Sequence, residues 1–201
     1  MSTIVLRTKL YIPVARPELV PRPHLIARLN DGLNRKLILV AAPPGYGKTT
    51  LVSSWARGCG QPVAWVSLDE RDNEPMRFLK YLITAFQTIE ANLGQDILTA
   101  MQASPSATIA DWLPVLVNQL DNIAFPFVLV LDDYHLITTP AIQQALDAIP
   151  AIRLARQANQ FELLLGESPS TASSNLAKRI ILAPNKTQTH PTKLAGEANA
   201  I

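Results

Sequence analysis

The sequence predicts an α/β fold of three layers, in which helices cover both faces of a mainly parallel sheet. Short, nearly continuous apolar runs at 37–41, 63–68 and 127–132 are typical of parallel strands buried on both faces. Longer segments with apolar residues at helical spacing separate these runs. The first run leads into a glycine-containing turn and the third ends in two carboxylates, so both strand ends carry side chains with chemical roles.

Length and composition limit the possible classes of protein. A chain of 201 residues with 48% hydrophobic residues is large enough for one domain with its own core. No apolar run approaches the roughly 18 residues of a membrane span, and Arg7 and Lys9 interrupt any signal-peptide pattern. The single cysteine, Cys59, excludes an internal disulfide and a cysteine-based zinc site. We therefore expect a cytoplasmic protein without membrane contact.

The net charge of +2 is unevenly distributed along the chain. Basic residues outnumber acidic ones in 1–36 and 151–201, whereas acidic residues dominate 37–150. A basic end is one footprint of nucleic-acid binding. No helix-turn-helix pattern or aromatic-interleaved basic patch accompanies it, so solvated charge is the favoured interpretation.

Residues 1–24 are predicted to form an extended N-terminal arm, because four prolines occur between Pro13 and Pro23. A short amphipathic helix follows from Leu25. An arm that directly precedes the first strand is well placed to lie over a bound nucleotide. Val20, Arg22 and Leu25 are therefore candidates for base or phosphate contacts, and packing of the arm on the sheet edge is the alternative.

The segment after the first strand has the pattern of a phosphate-binding P-loop. It reads Ala-Pro-Pro-Gly-Tyr-Gly-Lys-Thr-Thr over 42–50 and opens a predicted helix. Backbone N–H groups would surround a polyphosphate, with Lys48 as a point charge and Thr49 as a hydroxyl ligand for Mg²⁺. Ala42 stands where the motif has its first glycine. The predicted nucleotide-binding residues are Arg22, Gly45, Tyr46, Gly47, Lys48, Thr49 and Thr50.

The middle of the chain supplies the connecting elements of this fold. The acidic run at 69–74 follows the second strand. It is expected to cap the next helix and to be solvated, and a contact to Mg²⁺ or to water near a γ-phosphate is the less favoured alternative. Apolar residues at helical spacing predict a helix over 75–93. A second helix is predicted from Thr108, with Asp111 completing a capping box, to about Asn122.

The third strand, 127–132, ends in Asp132 and Asp133, the pattern of a Walker B strand. A buried strand carries its last carboxylate to the sheet edge where ligands bind. Asp132 is the predicted Mg²⁺ ligand, together with Thr49, and Asp133 is the candidate catalytic base that polarises water. His135 could sense a γ-phosphate, but a structural role is favoured. Another helix is predicted from Pro140.

The pattern weakens beyond Pro150. A fourth strand is predicted at 161–165, so the nucleotide-binding domain is assigned to 25–165. Ser, Thr, Asn, Pro, Lys and Ala dominate afterwards, which predicts a divergent, disordered tail over 166–201. The sheet is therefore expected to be incomplete at its C-terminal side.

Four segments together carry a family resemblance. They are Val-Pro-Arg-Pro-His-Leu at 20–25, the glycine-containing loop at 42–50, Val-Ala-Trp-Val-Ser-Leu-Asp at 63–69 followed by Asp72-Asn73, and Leu-Val-Leu-Asp-Asp-Tyr-His at 129–135. In this order they resemble the nucleotide-binding domain of MalT-like, large ATP-binding LuxR-type transcription regulators, which belong to the STAND class of P-loop ATPases.

The resemblance implies a switch that binds ATP with Mg²⁺, hydrolyses it slowly, rests with ADP and self-associates through this domain. The family's arginine-bearing sensor segment has its nearest equivalent at 163–168, without an arginine. The residues after about 150 do not match the family pattern. We therefore expect a truncated form that has no DNA-binding domain and at best weak ATPase activity.

Two other functions remain open. A non-catalytic interaction fragment is the first alternative, because the predicted sheet is thin. A P-loop phosphotransferase for a small substrate is the second. It needs an arginine-bearing lid, but Arg71 and Arg77 are the only arginines between the two motifs after Arg57, and they lie beside a helix start.

Overall fold

The computed structural model describes residues 5–14, 20–33, 37–104, 106–148 and 177–182. The helices are α1 (Pro23–Gly32), α2 (Lys48–Ala56), α3 (Pro75–Phe86), α4 (Gln95–Ala103), α5 (Ile109–Asp121) and α6 (Pro140–Ala148). The strands are β1 (Leu37–Ala42), β2 (Val63–Ser67), β3 (Val128–Asp132) and β4 (Ala177–Leu182). Short 3₁₀ turns occupy Arg7–Leu10, Glu70–Asn73 and Tyr134–Leu136.

The four strands form one sheet in the order β1-β4-β3-β2. β2 and β3 pair in parallel, with Val63 opposite Val128 and Ser67 opposite Asp132. β4 lies between β1 and β3 and runs antiparallel to both. Because two antiparallel steps restore the original direction, β1, β2 and β3 all point the same way. Their carboxyl ends therefore lie along one edge of the sheet.

The fourth strand differs from the sequence-based expectation. The predicted strand at 161–165 lies outside the described residues, whereas β4 comes from within 166–201, the stretch expected to form the tail. The sheet is consequently mixed rather than mainly parallel. A strand in this position pairs the backbone N–H and C=O groups of both β1 and β3, and Ile180 and Ile181 are β-branched residues that favour it. The remainder of the tail prediction and the domain boundaries stay predictions.

Helices cover both faces of the sheet. Alternate residues of β3 enter two separate buried clusters, as Val128 and Val130 contact one and Leu129 and Leu131 the other. The first cluster is completed by α1 and α2, with Leu29 as one of its fully buried members. The second cluster is completed by α3, α4, α5 and α6. This arrangement gives the three layers that the apolar strand pattern predicts.

The helix predicted over 75–93 is shorter than expected. α3 ends at Phe86, and the amides of Thr88 and Ile89 turn back to the carbonyls of Ala85 and Phe86. Ile89 and Leu93 still pack against the core, but from turns. The spacing of apolar residues indicates which side chains are buried and not which backbone groups are hydrogen-bonded in a helix. The apolar pattern therefore continues to Leu93, although α3 ends at Phe86.

Helix α5 agrees closely with its prediction. Thr108 and Asp111 form the expected capping box, and Pro114 lies within the helix. The unpredicted helix α4 precedes it, with Gly94 as its N-cap. Within the described ranges, every helix is too short or too polar to cross a bilayer.

Candidate functional site

The glycine-rich loop, residues 43–47, connects the carboxyl end of β1 to the first turn of α2. Gly45 (φ 82°) and Gly47 (φ 75°) both adopt the left-handed conformation that residues with a Cβ atom rarely take. Nothing lies within 4 Å of the place a Cβ atom would occupy at either residue, so the backbone conformation rather than crowding requires glycine. Gly47 is the N-cap of α2, so the N-terminus of this helix, which favours anions, begins at the end of the loop.

Lys48 is the first residue of α2 and is held close to this loop. Its side chain is nearly buried, and the residue is 5% exposed. Nζ donates to the carbonyl oxygens of Ala42 at 2.6 Å and Pro43 at 2.8 Å. Ala42 is the last residue of β1, so an alanine meets no conformational obstacle there and contributes its carbonyl group. The ammonium group therefore lies over the start of the loop instead of extending into solvent.

Arg22 approaches the same loop from the N-terminal side. Its Nη1 donates to the carbonyl oxygen of Tyr46 at 3.1 Å. A cavity of about 310 Å³ opens beside this contact. Its lining residues are Val20, Pro21, Arg22, Ile26, Gly47, Thr50, Leu51 and Ser54. The structure thus brings the predicted residues Arg22, Gly47 and Thr50 to one cavity.

Four of the cavity-lining residues, Pro21, Ile26, Leu51 and Ser54, were missed by the sequence analysis, and one candidate lies elsewhere. Ile26, Leu51 and Ser54 could have been found from helical spacing, because residues three or four apart share one face of a helix. Val20 lines the cavity as expected for a base contact. Leu25 is instead 6% exposed and packs in the cluster between α1 and α2, so it does not line this cavity.

The two acids at the end of β3 have different surroundings. Asp132 is 2% exposed, and one of its oxygens, Oδ1, accepts the backbone N–H of Asp133 at 3.0 Å. Asp133 itself is left-handed (φ 56°), a conformation that aspartate adopts more readily than most residues. Its side chain is partly exposed, and its Oδ1 lies 4.0 Å from Nδ1 of His135. One carboxylate is thus buried at the sheet edge and the other is partly exposed.

Lys48, Thr49 and the two acids lie at the same edge of the sheet, because β1 and β3 run in the same direction. Over the ranges with described side chains, no group of three or more His, Cys, Asp or Glu residues converges as a ready metal cage. Mg²⁺ commonly takes only one or two protein oxygens and completes its shell with water and phosphate. Thr49 and Asp132 therefore stay the predicted Mg²⁺ ligands.

The acidic loop after β2 caps helices, as expected, but it is not simply solvated. Asp69 caps the 3₁₀ turn, and Glu74 accepts the amides of Met76 and Arg77 at the start of α3. Burial raises the pKa of Asp69, but hydrogen bonds from Lys9 and the Arg71 amide, with the charge of Lys9, outweigh it and leave the pKa below its usual value.

Asp72, in the same loop, is fully buried. It contacts Nζ of Lys9 and accepts from Nε of Arg77 at 3.0 Å. The hydrogen bond to Asp72 is the main reason that the pKa of Arg77 is raised. The sequence analysis missed this cluster, because the partner Lys9 is 63 residues away in the chain.

The chain is similar in sequence to bacterial transcription regulators. Over 143 residues, 71% of this chain, it is 39% identical to the HTH-type transcriptional regulator MalT of Cronobacter sakazakii. It is 38% identical, over the same length, to the proteins of that name from two strains of Klebsiella pneumoniae. The match spans 16% of the length of each of these relatives. No protein-family model matches the chain.

At this level of identity the matched part of the chain is homologous to MalT-type HTH transcriptional regulators. Because the match covers only a sixth or so of their length, it concerns one region of those proteins.

Proposed function

We propose that this chain binds ATP with Mg²⁺ at the carboxyl edge of the sheet, as the nucleotide-binding region of a MalT-like regulator. The observation that carries the proposal is the glycine-rich loop itself. Two left-handed glycines leave open space in front of a helix N-terminus, and a nearly buried lysine lies over the loop. A helix N-terminus next to a positive charge favours the binding of a polyphosphate.

Each neighbouring feature supports a role for a further part of the nucleotide. The cavity beside Arg22 is lined by both apolar and polar residues and suits a base or sugar next to the phosphates. Thr49 and Asp132 are the proposed Mg²⁺ ligands. Mg²⁺ held there would neutralise phosphate charge. Asp133 would orient an attacking water molecule or accept a proton from it. We propose slow hydrolysis at best, as suits a regulator rather than a metabolic enzyme.

The homology supports a regulatory rather than a metabolic role. The relatives are regulators by name, so exchange of ATP for ADP and self-association through this region are proposed as its outputs, in a cytoplasmic setting. DNA binding belongs to the named relatives as whole proteins and is not proposed for the residues described. The phosphotransferase alternative gains no support, because Arg77 is engaged by Asp72 beside α3 instead of standing in a lid.

Isothermal titration with ATP and ADP, with and without Mg²⁺, tests this function. Lys48→Met keeps the apolar stem and removes the charge. We expect it to weaken ATP binding by about tenfold to a hundredfold, since a charge-assisted hydrogen bond contributes about 1.5–3 kcal/mol. Lys80→Met, on α3, is the matched lysine control and should bind ATP as the wild type does.

Two outcomes would contradict the proposal. One is wild-type protein that is folded but binds neither nucleotide, which favours an interaction fragment. The other is equal ATP affinity in the wild type and Lys48→Met, which would remove the loop from the binding site. Formation of ADP that occurs only after addition of a small acceptor molecule, with the phosphoryl group recovered on the acceptor and not as free phosphate, would instead favour the phosphotransferase.

A further inference from the structure

Asn73 connects the loop after β2 to the loop after β3. Its Oδ1 accepts the backbone amides of Thr138 at 2.7 Å and Thr139 at 3.0 Å. Its Nδ2 donates to the carbonyl oxygens of Leu136 at 2.7 Å and Glu70 at 3.1 Å. The hydroxyl of Thr139 also donates to the Asn73 backbone carbonyl at 2.7 Å. Only an amide side chain offers donors and an acceptor at this separation, so this use of Asn73 is chemically specific.

The contacts of Asn73 fall on the segment that begins with Asp133, the partly exposed acid. The segment leaves β3 through the left-handed Asp133, passes through the turn Tyr134–Leu136 and enters α6 at Pro140. Its beginning is held because the amide of Leu68 donates to the carbonyl oxygen of Asp132 at 3.0 Å. Its end is held by Asn73. The segment is therefore fastened at both ends by the chain that follows β2.

Asn73 is in turn fixed by its neighbour Asp72. A fully buried carboxylate is costly unless charged partners surround it. Asp72 has Lys9 and Arg77 as such partners, and it also accepts the amide of Asp69 at 2.9 Å. Both cations lie over the ring of Tyr81. The distance to the ring centroid is 4.9 Å from Nζ of Lys9 and 5.3 Å from Cζ of Arg77. Contacts from the N-terminal segment and from α3 thus hold Asp72, the neighbour of Asn73, in place.

We infer that Asn73 is a positioning residue for the acid-bearing segment 133–139, and that Asp72 holds Asn73 in register. Neither side chain needs to touch nucleotide. Asn73 fixes the turn after β3, so that the carboxylate of Asp133 keeps one direction at the sheet edge. The part of this inference that concerns ATP hydrolysis rests on the function proposed above, whereas the part that concerns the segment itself does not.

Asn73→Ala tests the inference, with Gln119→Ala as the matched control. Gln119 is also a bridging amide: it accepts the amide of Gly94 at 2.7 Å and donates to Asp96 at 3.0 Å, linking α4 to α5. Gln119→Ala removes hydrogen bonds comparable to those of Asn73, and none of them involves the segment after β3. Asn73→Asp is the second variant. It retains the acceptor for Thr138 and Thr139 and loses the donor, which keeps the test usable if alanine prevents folding.

The first measurement is hydrogen exchange in protein without nucleotide. We expect Asn73→Ala to speed exchange of the Thr138 and Thr139 amides by about tenfold or more, because each lost hydrogen bond contributes about 1 kcal/mol. Asn73→Asp should give a smaller increase, and Gln119→Ala should leave these amides within about twofold of the wild type. Equal exchange in Asn73→Ala and Gln119→Ala would overturn the inference.

The second measurement is the rate of ATP hydrolysis with Mg²⁺. Asn73→Ala should lower kcat by about tenfold while leaving the affinity for ATP nearly unchanged, since a misdirected Asp133 affects the chemical step and not binding. A merely structural role would weaken the affinity together with kcat and would overturn the positioning role. If wild-type protein binds or hydrolyses no ATP, that part of the proposed function fails separately, and the exchange measurement still decides the inference.

Discussion

Replacing Lys9 with methionine is expected to destabilise the protein strongly although Lys9 lies near the end of the chain. Nζ of Lys9 contacts the fully buried Asp72 and lies 2.9 Å from Oδ2 of Asp69. Methionine keeps most of the apolar stem and removes the charge. Asp72 is then left buried with Arg77 as its remaining cationic partner.

The magnitude follows from the contacts that are lost. A hydrogen bond to a charged group contributes about 1.5–3 kcal/mol, and the contact with the Tyr81 ring about 0.5–1 kcal/mol. The pair with Asp69, whose side chain is 46% exposed, adds at most about 1 kcal/mol. We expect the free energy of unfolding to fall by about 2–4 kcal/mol. For a chain of this size, that corresponds to a Tm lower by roughly 5–15 °C.

Urea and thermal unfolding at pH 7 provide the assay, with Arg7→Met as the control. Arg7 belongs to the same 3₁₀ turn, but it is exposed, so its replacement should change the free energy of unfolding by less than about 0.5 kcal/mol. The double variant of Lys9→Met with Asp72→Asn should lose about 1–3 kcal/mol less than the sum of the single losses. Equal effects of Lys9→Met and Arg7→Met, or strict additivity in the double variant, would refute the reasoning.

Two further predictions concern α4. Gly94→Ala should lower the free energy of unfolding by about 2–4 kcal/mol, because φ is 67° and the new Cβ atom would lie 2.6 Å from Cγ2 of Ile83. Gly60→Ala, at φ 73° in open space, should lower it by only about 1 kcal/mol. Equal urea midpoints for the two variants would contradict this prediction. Hydrogen bonds from Gln119 hold the pKa of Asp96 below its usual value of 3.8. The stability that Asp96 contributes is therefore complete above about pH 4, and it is lost as the pH falls through the pKa that Asp96 has in the folded protein. Gln119→Ala should shrink that loss, and carboxyl NMR should show the Asp96 pKa rising toward 3.8; an unchanged titration would refute the assignment.

The local features of this fold could be predicted from the sequence. The strands near 37–41, 63–68 and 127–132 are found within about one residue of their predicted ends, because buried strands are marked by unbroken apolar runs. The position of the glycine-rich loop could be predicted equally well from the sequence. Its left-handed glycines and the helix that starts at Lys48 depend on residue types within a few positions of each other.

Features that depend on distant partners could not be predicted. The run at 69–74 has the composition of a solvated acidic loop, and only Lys9 and Arg77 make burial of Asp72 possible. The strand at 177–182 follows a polar stretch, and its partners β1 and β3 are set by the sheet as a whole. The nucleotide-binding roles of Arg22, Lys48, Thr49 and the two acids stay predictions until the titrations are made.

The central position of β4 has a consequence for the order in which the chain can fold. Of the four described strands β1 is synthesised first, and its hydrogen-bonded neighbour β4 is synthesised last. β2 and β3 can pair as soon as both have left the ribosome. β1 and its glycine-rich loop must wait for residues 177–182, at the entropic cost of closing a very long loop. The loop that would bind nucleotide is therefore among the last parts of the sheet to be secured, and ligand present during synthesis should favour this late step.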